Sequence, residues 1–185
     1  MMDCPIHLPP TSLTRAEVLD TVPGNVSRYY FPGANVDGGR DGLIVRVMSA
    51  AYDWVGVFGF GYRSPPAISA VLGIAGSDVL YIVAAGQAYR VAPRSPESCE
   101  TIPCVPITRA STASASRLAI FVDFTRICAY DAWGLKWTTE RISSDGISVA
   151  AVDDDSFCGT AWDAATQRTL NFRVTLADGQ VEFER

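Results

Sequence analysis

From Leu43 onward, apolar residues come in short runs rich in β-branched and aromatic side chains, each ended by Gly, Pro, Asp or Ser. No window sustains a 3.6-residue apolar stripe, whereas alternation with a period of two recurs, so the pattern predicts strands. These span residues 43–49, 54–60, 68–73, 79–84, 88–92, 117–123, 126–130, 147–152, 157–162, 170–176 and 180–184. Residues 109–116, RASTASAS, are small and polar and read as an exposed loop. Before Leu43 the chain is rich in Pro and Gly, with one helical signal. Thr14 to Glu17 fits a capping box and leads into Val18 and Leu19, which predicts a short helix over 14–20. Further on, Asp37-Gly38 and Asp41-Gly42 suit turns with positive φ. Residues 1–42 therefore read as an irregular segment with a short helix packed on the main domain, and 43–185 as a single all-β domain.

Turn chemistry sets two registers. A two-residue turn at Asp178-Gly179 places Leu176 opposite Val181 and Val174 opposite Phe183 on an apolar face, with Thr175–Glu182 and Arg173–Glu184 on a polar one. A turn at Asp154-Asp155 sets Val152 against Phe157, Ala151 against Cys158, Val149 against Thr160 and Ile147 against Trp162. The Trp162 indole then has an apolar partner and a structural task at the strand end. Ile147 to Glu184 becomes a four-stranded antiparallel meander. Two earlier hairpins, LYIVAAGQAYRV from Leu80 and LAIFVDFTRICAY from Leu118, superimpose at an offset of 38 residues and suggest a repeated unit. The expected fold is all-β, with antiparallel four-stranded meanders arranged as an incomplete propeller-like or sandwich domain and one short N-terminal helix.

Composition narrows the function classes. A chain of 185 residues with 48% hydrophobic and 19% charged residues has enough apolar surface for one folded domain. A net charge of -5 without a Lys/Arg cluster removes the electrostatic term that nucleic-acid binding needs. The start, MMDCPIHLPP, lacks the form of a signal peptide, and no apolar run approaches the ~20 residues that span a bilayer, so no membrane partner and a cytoplasmic location are expected. Five cysteines, an odd number, fit reduced thiols; Cys99 and Cys104 alone sit close in sequence, where a disulfide or half a metal site is conceivable, and with a single His to complete a four-ligand zinc site they read as plain loop cysteines. No metal or cofactor is expected.

Candidate chemistry is sparse. Trp54, Phe58, Phe60 and Tyr62 share one face of a predicted strand, an arrangement able to stack on sugars. With Val55 and Val57 on the other face, the same strand also fits a central position buried on both sides. Trp54, Phe58 and Tyr62, with Asp163 at the strand end beyond Trp162, form the candidate binding set. No catalytic residue is assigned, because His7 is the single imidazole and lies among prolines. Asp153 to Asp155 read as a solvated turn, and Asp123 with Arg126 as a cross-strand ion pair. The Trp162-Asp163 pair is no WD repeat, since it has no second copy and no Gly-His start.

The second half carries four motifs in order: Gly134-Leu135-Lys136-Trp137, Asp145-Gly146-Ile147, Gly159-Thr160-Ala161-Trp162-Asp163 and Val174-Thr175-Leu176-Ala177-Asp178-Gly179. It resembles a group of small, functionally uncharacterised bacterial proteins with Gly-Leu-x-Trp, Asp-Gly-Leu/Ile, Gly-x-Gly/Ala-Trp-Asp and a final hairpin in that order. The resemblance implies a bacterial origin and no activity. It departs at the hairpin, where Thr175 replaces an acid and Asp178 a Thr.

A well-specified β scaffold without a catalytic constellation points to a non-enzymatic protein-binding or accessory protein, of which an immunity-type factor is one form. Its acidic balance suits a basic protein partner, and open strand edges also allow a homodimer. The alternative is a hydrolase or carbohydrate-binding protein using strand-end carboxylates and the aromatic strand. Exposure of Trp54, Phe58 and Tyr62 in one cleft separates the two.

Overall fold

Strands that are apolar on both faces need cover on both sides. The computed structural model, which describes residues 4–34 and 42–184, provides it by laying four sheets against one another. Sheet I contains β2 (Arg15–Leu19), β3 (Ser27–Tyr30), β4 (Gly42–Met48) and β5 (Asp53–Gly59) in the order β2-β4-β5-β3. Sheet II contains β1 (Ile6–His7), β6 (Ala70–Gly73), β7 (Leu80–Ala84), β8 (Gln87–Ala92) and β9 (Ser95–Ile102), in that spatial order. Sheet III is the meander β10 (Arg109–Ala113), β11 (Leu118–Val122), β12 (Ile127–Asp131) and β13 (Gly134–Thr138). Sheet IV is the meander β14 (Ile147–Val152), β15 (Ser156–Asp163), β16 (Arg168–Thr175) and β17 (Val181–Phe183). Pairing is antiparallel except for β1 with β6 and β3 with β5. Among the described residues there is no helix, and so none long and apolar enough to cross a membrane.

Three separate cores lie between successive sheets. Val45, Trp54 and Phe58 of sheet I meet Val71, Ile82 and Tyr89 of sheet II. The opposite face of sheet II brings Leu72, Tyr81 and Val83 against Phe121 and Tyr130 of sheet III. Ile120, Ile127 and Trp137 on the far face of sheet III meet Phe157, Phe172 and Val174 of sheet IV. The outer face of sheet I, with Ile44, Val55 and Val57, is covered by Leu19, Val22, Val26 and Tyr30. The outer face of sheet IV is polar and open, carrying Ser148, Thr160 and Arg173. Apolar burial thus ends at both sides of the stack.

Buried polar handles tie each sheet to the next. The Trp54 Nε1–H donates to Pro93 O at 2.8 Å, and the Tyr89 hydroxyl lies 2.8 Å from Pro32 O and 2.7 Å from Gly59 O. The Tyr81 hydroxyl donates to Asp131 O at 2.6 Å, and the Trp137 Nε1–H to Leu176 O at 2.8 Å. An aromatic ring fills the core while its donor satisfies a carbonyl that would otherwise be buried unpaired. Burial pushes the Tyr89 phenol up to about 12, and the Tyr81 phenol still higher. Both groups keep their protons in the folded state above the ordinary tyrosine value of ~10, where the unfolded chain releases them. Their contribution to stability is therefore complete below about pH 10 and declines as pH rises from there toward 12. Urea midpoints measured at pH 8 and pH 11 should fall between the two, and a Tyr89→Phe variant should show a smaller fall.

Several expectations need correction. No helix forms over 14–20: β2 occupies this stretch and pairs antiparallel with β4, Arg15 opposite Met48 and Leu19 opposite Ile44. Seven residues make too short a helix to stand alone, whereas as a strand they place Ala16 and Val18 on one core and Leu19 on another. The supposed loop 109–116 contains β10, which closes one edge of sheet III by pairing Arg109 to Ala113 with Val122 to Leu118. Asp37, Gly38 and Asp41 lie outside the described residues, and Gly42 begins β4.

The carboxyl hairpin has the expected faces but another register: Val174 opposes Val181 and Phe172 opposes Phe183. Its loop is longer because Leu176 turns into the core between sheets III and IV, its carbonyl accepting from Trp137 and its N–H donating to Asp155 O. The expected pair Asp123 and Arg126 serves the turn instead, with Asp123 Oδ1 accepting from the Thr125 and Arg126 N–H groups at 2.6 and 2.8 Å. The offset of 38 also fails. It superimposes Leu80 and Ile82, which face sheet I, on Leu118 and Ile120, which face sheet IV. An offset of 39 restores a common direction, and 39 residues also separate each buried indole from the carbonyl it reaches.

Candidate functional site

The four candidate residues do not come together. Trp54 and Phe58 are buried between sheets I and II, where Phe31 stacks on Phe58 at 4.3 Å between ring centroids. Tyr62, beyond the end of β5, is exposed. Asp163 ends β15 and organises its own loop, its carboxylate accepting from the Thr166 hydroxyl and from the Ala165 N–H. These bonds, the hydroxyl first, hold its carboxyl below the usual range. As in a short Asx turn, the carboxylate is already engaged.

A different residue dominates the surface. Trp133, in the tight turn between β12 and β13, is 90% exposed. It stands over a cavity of about 550 Å³ between the rims of sheets II and III, whose apolar wall includes Ile74, Val79 and Leu118. The indole is held largely in water at the mouth of this apolar cavity. Its backbone is fixed from two directions. Asp131 Oδ1 accepts from the Trp133 N–H at 2.7 Å and the Gly134 N–H at 3.2 Å. Across the core, Tyr81 donates to Asp131 O and Arg90 Nη2 donates to Ala132 O at 2.6 Å. The ring is exposed while the turn that carries it is tied to sheet II.

The cavity is also positively charged, against the sign of the chain as a whole. Arg90, Arg117 and Lys136 line it, with Asp131 the carboxylate among its walls. Arg90 is nearly covered and pairs with Glu100 at 3.2 Å, whereas neither Arg117 nor Lys136 pairs with a carboxylate among the described residues. Lys136 sits at a β-bulge, where the register with β12 shifts between Ala129 and Tyr130, so that Ala129 pairs with Trp137, Tyr130 with Leu135, and Lys136 is the extra residue. A bulge re-aims a side chain in this way. A smaller cavity of about 280 Å³ shares Ile74, Gly76 and Ser77 and continues the groove to Leu13, itself 84% exposed.

A second cavity lies on the open side of sheet IV and corrects the expected place of Trp162. Asp153 N–H to Ser156 O closes the β14–β15 turn, and Val152 and Ala151 pair with Phe157 and Cys158 as expected. A bulge at Ala150 then shifts the register, giving Val149 opposite Gly159 and Ile147 opposite Ala161. Trp162 consequently turns outward, is 37% exposed and borders a cavity of about 550 Å³. Ile147, Val149 and Val152 are not in strict alternation, and one extra residue between them is what lets all three face the core.

Among the described residues no cysteine forms a disulfide. Cys104 and Cys128 are buried in the core between sheets II and III, and contact with Cys128 together with burial pushes the Cys104 thiol far up. No group of three or more His, Cys, Asp or Glu among the described residues is placed to hold a metal.

Sheet stack and groove together define an all-β protein of four successive antiparallel or mixed sheets with an exposed aromatic anchor at one rim. No protein-family model matches the chain, and no curated protein matches it in sequence.

Proposed function

We propose that this is a non-enzymatic protein-binding module and that its docking surface is the groove between Leu13 and Trp133. The observation that carries the reading is the Trp133 turn: an indole almost wholly in water, on a backbone locked by bonds to Asp131, Tyr81 and Arg90, beside an apolar cavity. Rigid aromatic anchors next to pockets are the usual centres of interfaces, because little conformational freedom remains to be lost. Arg117 and Lys136, which pair with no carboxylate among the described residues, favour an acidic segment carrying an apolar anchor, although the net charge of -5 alone suggested a basic partner. Burial of Trp54 and Phe58 weighs against the alternative built on the aromatic strand.

The scaffold reading that goes with this is an unclosed, propeller-like stack. A two-layer sandwich has one core, and the presence of three successive cores supports the stack over the sandwich.

Selection of a random peptide display library on the protein tests the proposal. Enriched peptides should share acidic residues flanking an aliphatic or aromatic anchor and bind more weakly at high salt. Trp133→Ala should weaken them by roughly tenfold or more, on the order of 2 kcal/mol, and Arg117→Glu with Lys136→Glu should do the same. Enrichment of basic peptides, no enrichment, or peptides indifferent to both variants would overturn it.

A further inference from the structure

We infer that the cavity beside Trp162 is a binding site for a neutral saccharide, one sugar ring stacking on the indole while Asp145 and neighbouring hydroxyls bind its rim. This site is separate from the Trp133 groove and does not rest on it.

The indole is placed there by the chain. The bulge at Ala150 turns Trp162 onto the outer face of sheet IV, next to Thr160, Ser148 and Thr169, all of which line the same cavity. The opposite wall comes from sheet III and the loop before β14, with Phe124, Arg109 and Asp145. Its volume of about 550 Å³ falls within the roughly 300–1,000 Å³ of small-molecule sites.

Trp162 and Asp145 are held as one unit. The Trp162 N–H donates to Ser143 Oγ at 3.1 Å and to Gly146 O at 3.3 Å, and Trp162 O accepts from the Ser144 N–H at 2.7 Å and the Ser143 hydroxyl at 3.0 Å. The loop bearing Asp145 is fixed again from its far side, since Arg141 donates to Ser143 O at 3.0 Å and Ser144 O at 2.7 Å. Gly146 N–H reaches Phe124 O at 2.9 Å and joins the two walls. Such a frame fixes the backbone segments that carry the aromatic plate and the carboxylate before any ligand arrives, which lowers the ordering cost of binding.

The lining selects the ligand class. An apolar ligand would leave Thr160, Ser148, Thr169 and Asp145 without partners, and an anion would face the Asp145 carboxylate. One Arg and one Asp balance, so a neutral group is favoured. A sugar ring presents apolar C–H groups on one face and hydroxyls around its edge, matching an indole bordered by hydroxyls and one carboxylate.

The test follows the indole N–H signals of the chain's four tryptophans by NMR while methyl glycosides of glucose, galactose, mannose and N-acetylglucosamine are added separately. Trp162→Phe identifies the Trp162 signal and, by keeping a ring, should retain part of the affinity. At least one glycoside should shift that signal saturably and leave those of buried Trp54 and Trp137 in place. Read instead through the backbone amide shifts of Gly146 and Thr160, which line the cavity, Trp162→Ala and Asp145→Asn should each weaken binding by about tenfold or more, with dispersed spectra showing that both variants are folded, and Trp133→Ala should leave it unchanged. Absence of any shift with all four glycosides would overturn the inference, as would binding that survives Trp162→Ala or is indifferent to Asp145→Asn.

Discussion

Replacing Trp137 by Ala is expected to lower the unfolding free energy by about 3–5 kcal/mol, the largest loss from any single side chain considered for this protein. The indole is buried between sheets III and IV and packs against Gly179, where an added Cβ would come within 2.7 Å of the ring. Its removal opens a cavity and also leaves Leu176 O without the 2.8 Å bond that it accepts. Against a total of about 5–15 kcal/mol for a domain, such a loss is a large fraction of the whole. Trp137→Phe separates the two effects. It keeps most of the ring volume but abandons the carbonyl, so about 1–3 kcal/mol should be lost. Urea titrations of both variants measure this, and a loss below 1 kcal/mol for Trp137→Ala would show that the junction of sheets III and IV is not held as described.

Gly159→Ala should be nearly as damaging, although it adds a single methyl group. Gly159 faces inward on β15, and a Cβ there would collide with Ser148 O and stand 2.9 Å from the Phe172 ring. Backbone oxygen cannot swing aside as a flexible side chain can, so β14 must shift or the Val149–Gly159 pair must open. An overpacking cost of about 3 kcal/mol is expected. For a chain of this size it should lower the melting temperature by roughly 2–4 °C per kcal/mol. Ala161→Gly on the same strand face relieves no clash and serves as the control, with a smaller drop.

Both variants bear on what the sequence made legible. The strongly apolar strands were legible because burial on both faces leaves continuous runs of Val, Ile, Leu and Phe, as in β4, β5, β7 and β11. The missing strands, among them β9, β10 and β13, carry polar or mixed sequences at sheet edges, where pairing to a neighbour decides the conformation and local pattern says little. β2 shows the converse, since a valid capping box lost to the backbone partner offered by β4.

The sites were less legible than the fold, and for specific reasons. Trp54 and Phe58 form an alternating aromatic face whether that face meets water or another sheet, and here it meets sheet II. Trp133 sits in a short turn, where no periodicity indicates exposure. Trp162 was within reach: spacing of Ile147, Val149 and Val152 breaks the alternation by one residue, which is the mark of a bulge. Counting inward-facing positions, instead of pairing residues rigidly back from the turn, would have turned its indole outward.

The unlike ends of the stack have a historical consequence. A newly duplicated unit added after sheet IV would meet hydroxyls and charges, and one added before sheet I would meet a face already shielded by the amino-terminal segment. Lengthening by tandem copying is favourable only in the interior, where a recipient sheet offers oil on each side. Descendants with more layers should therefore differ from this chain by insertions between its sheets.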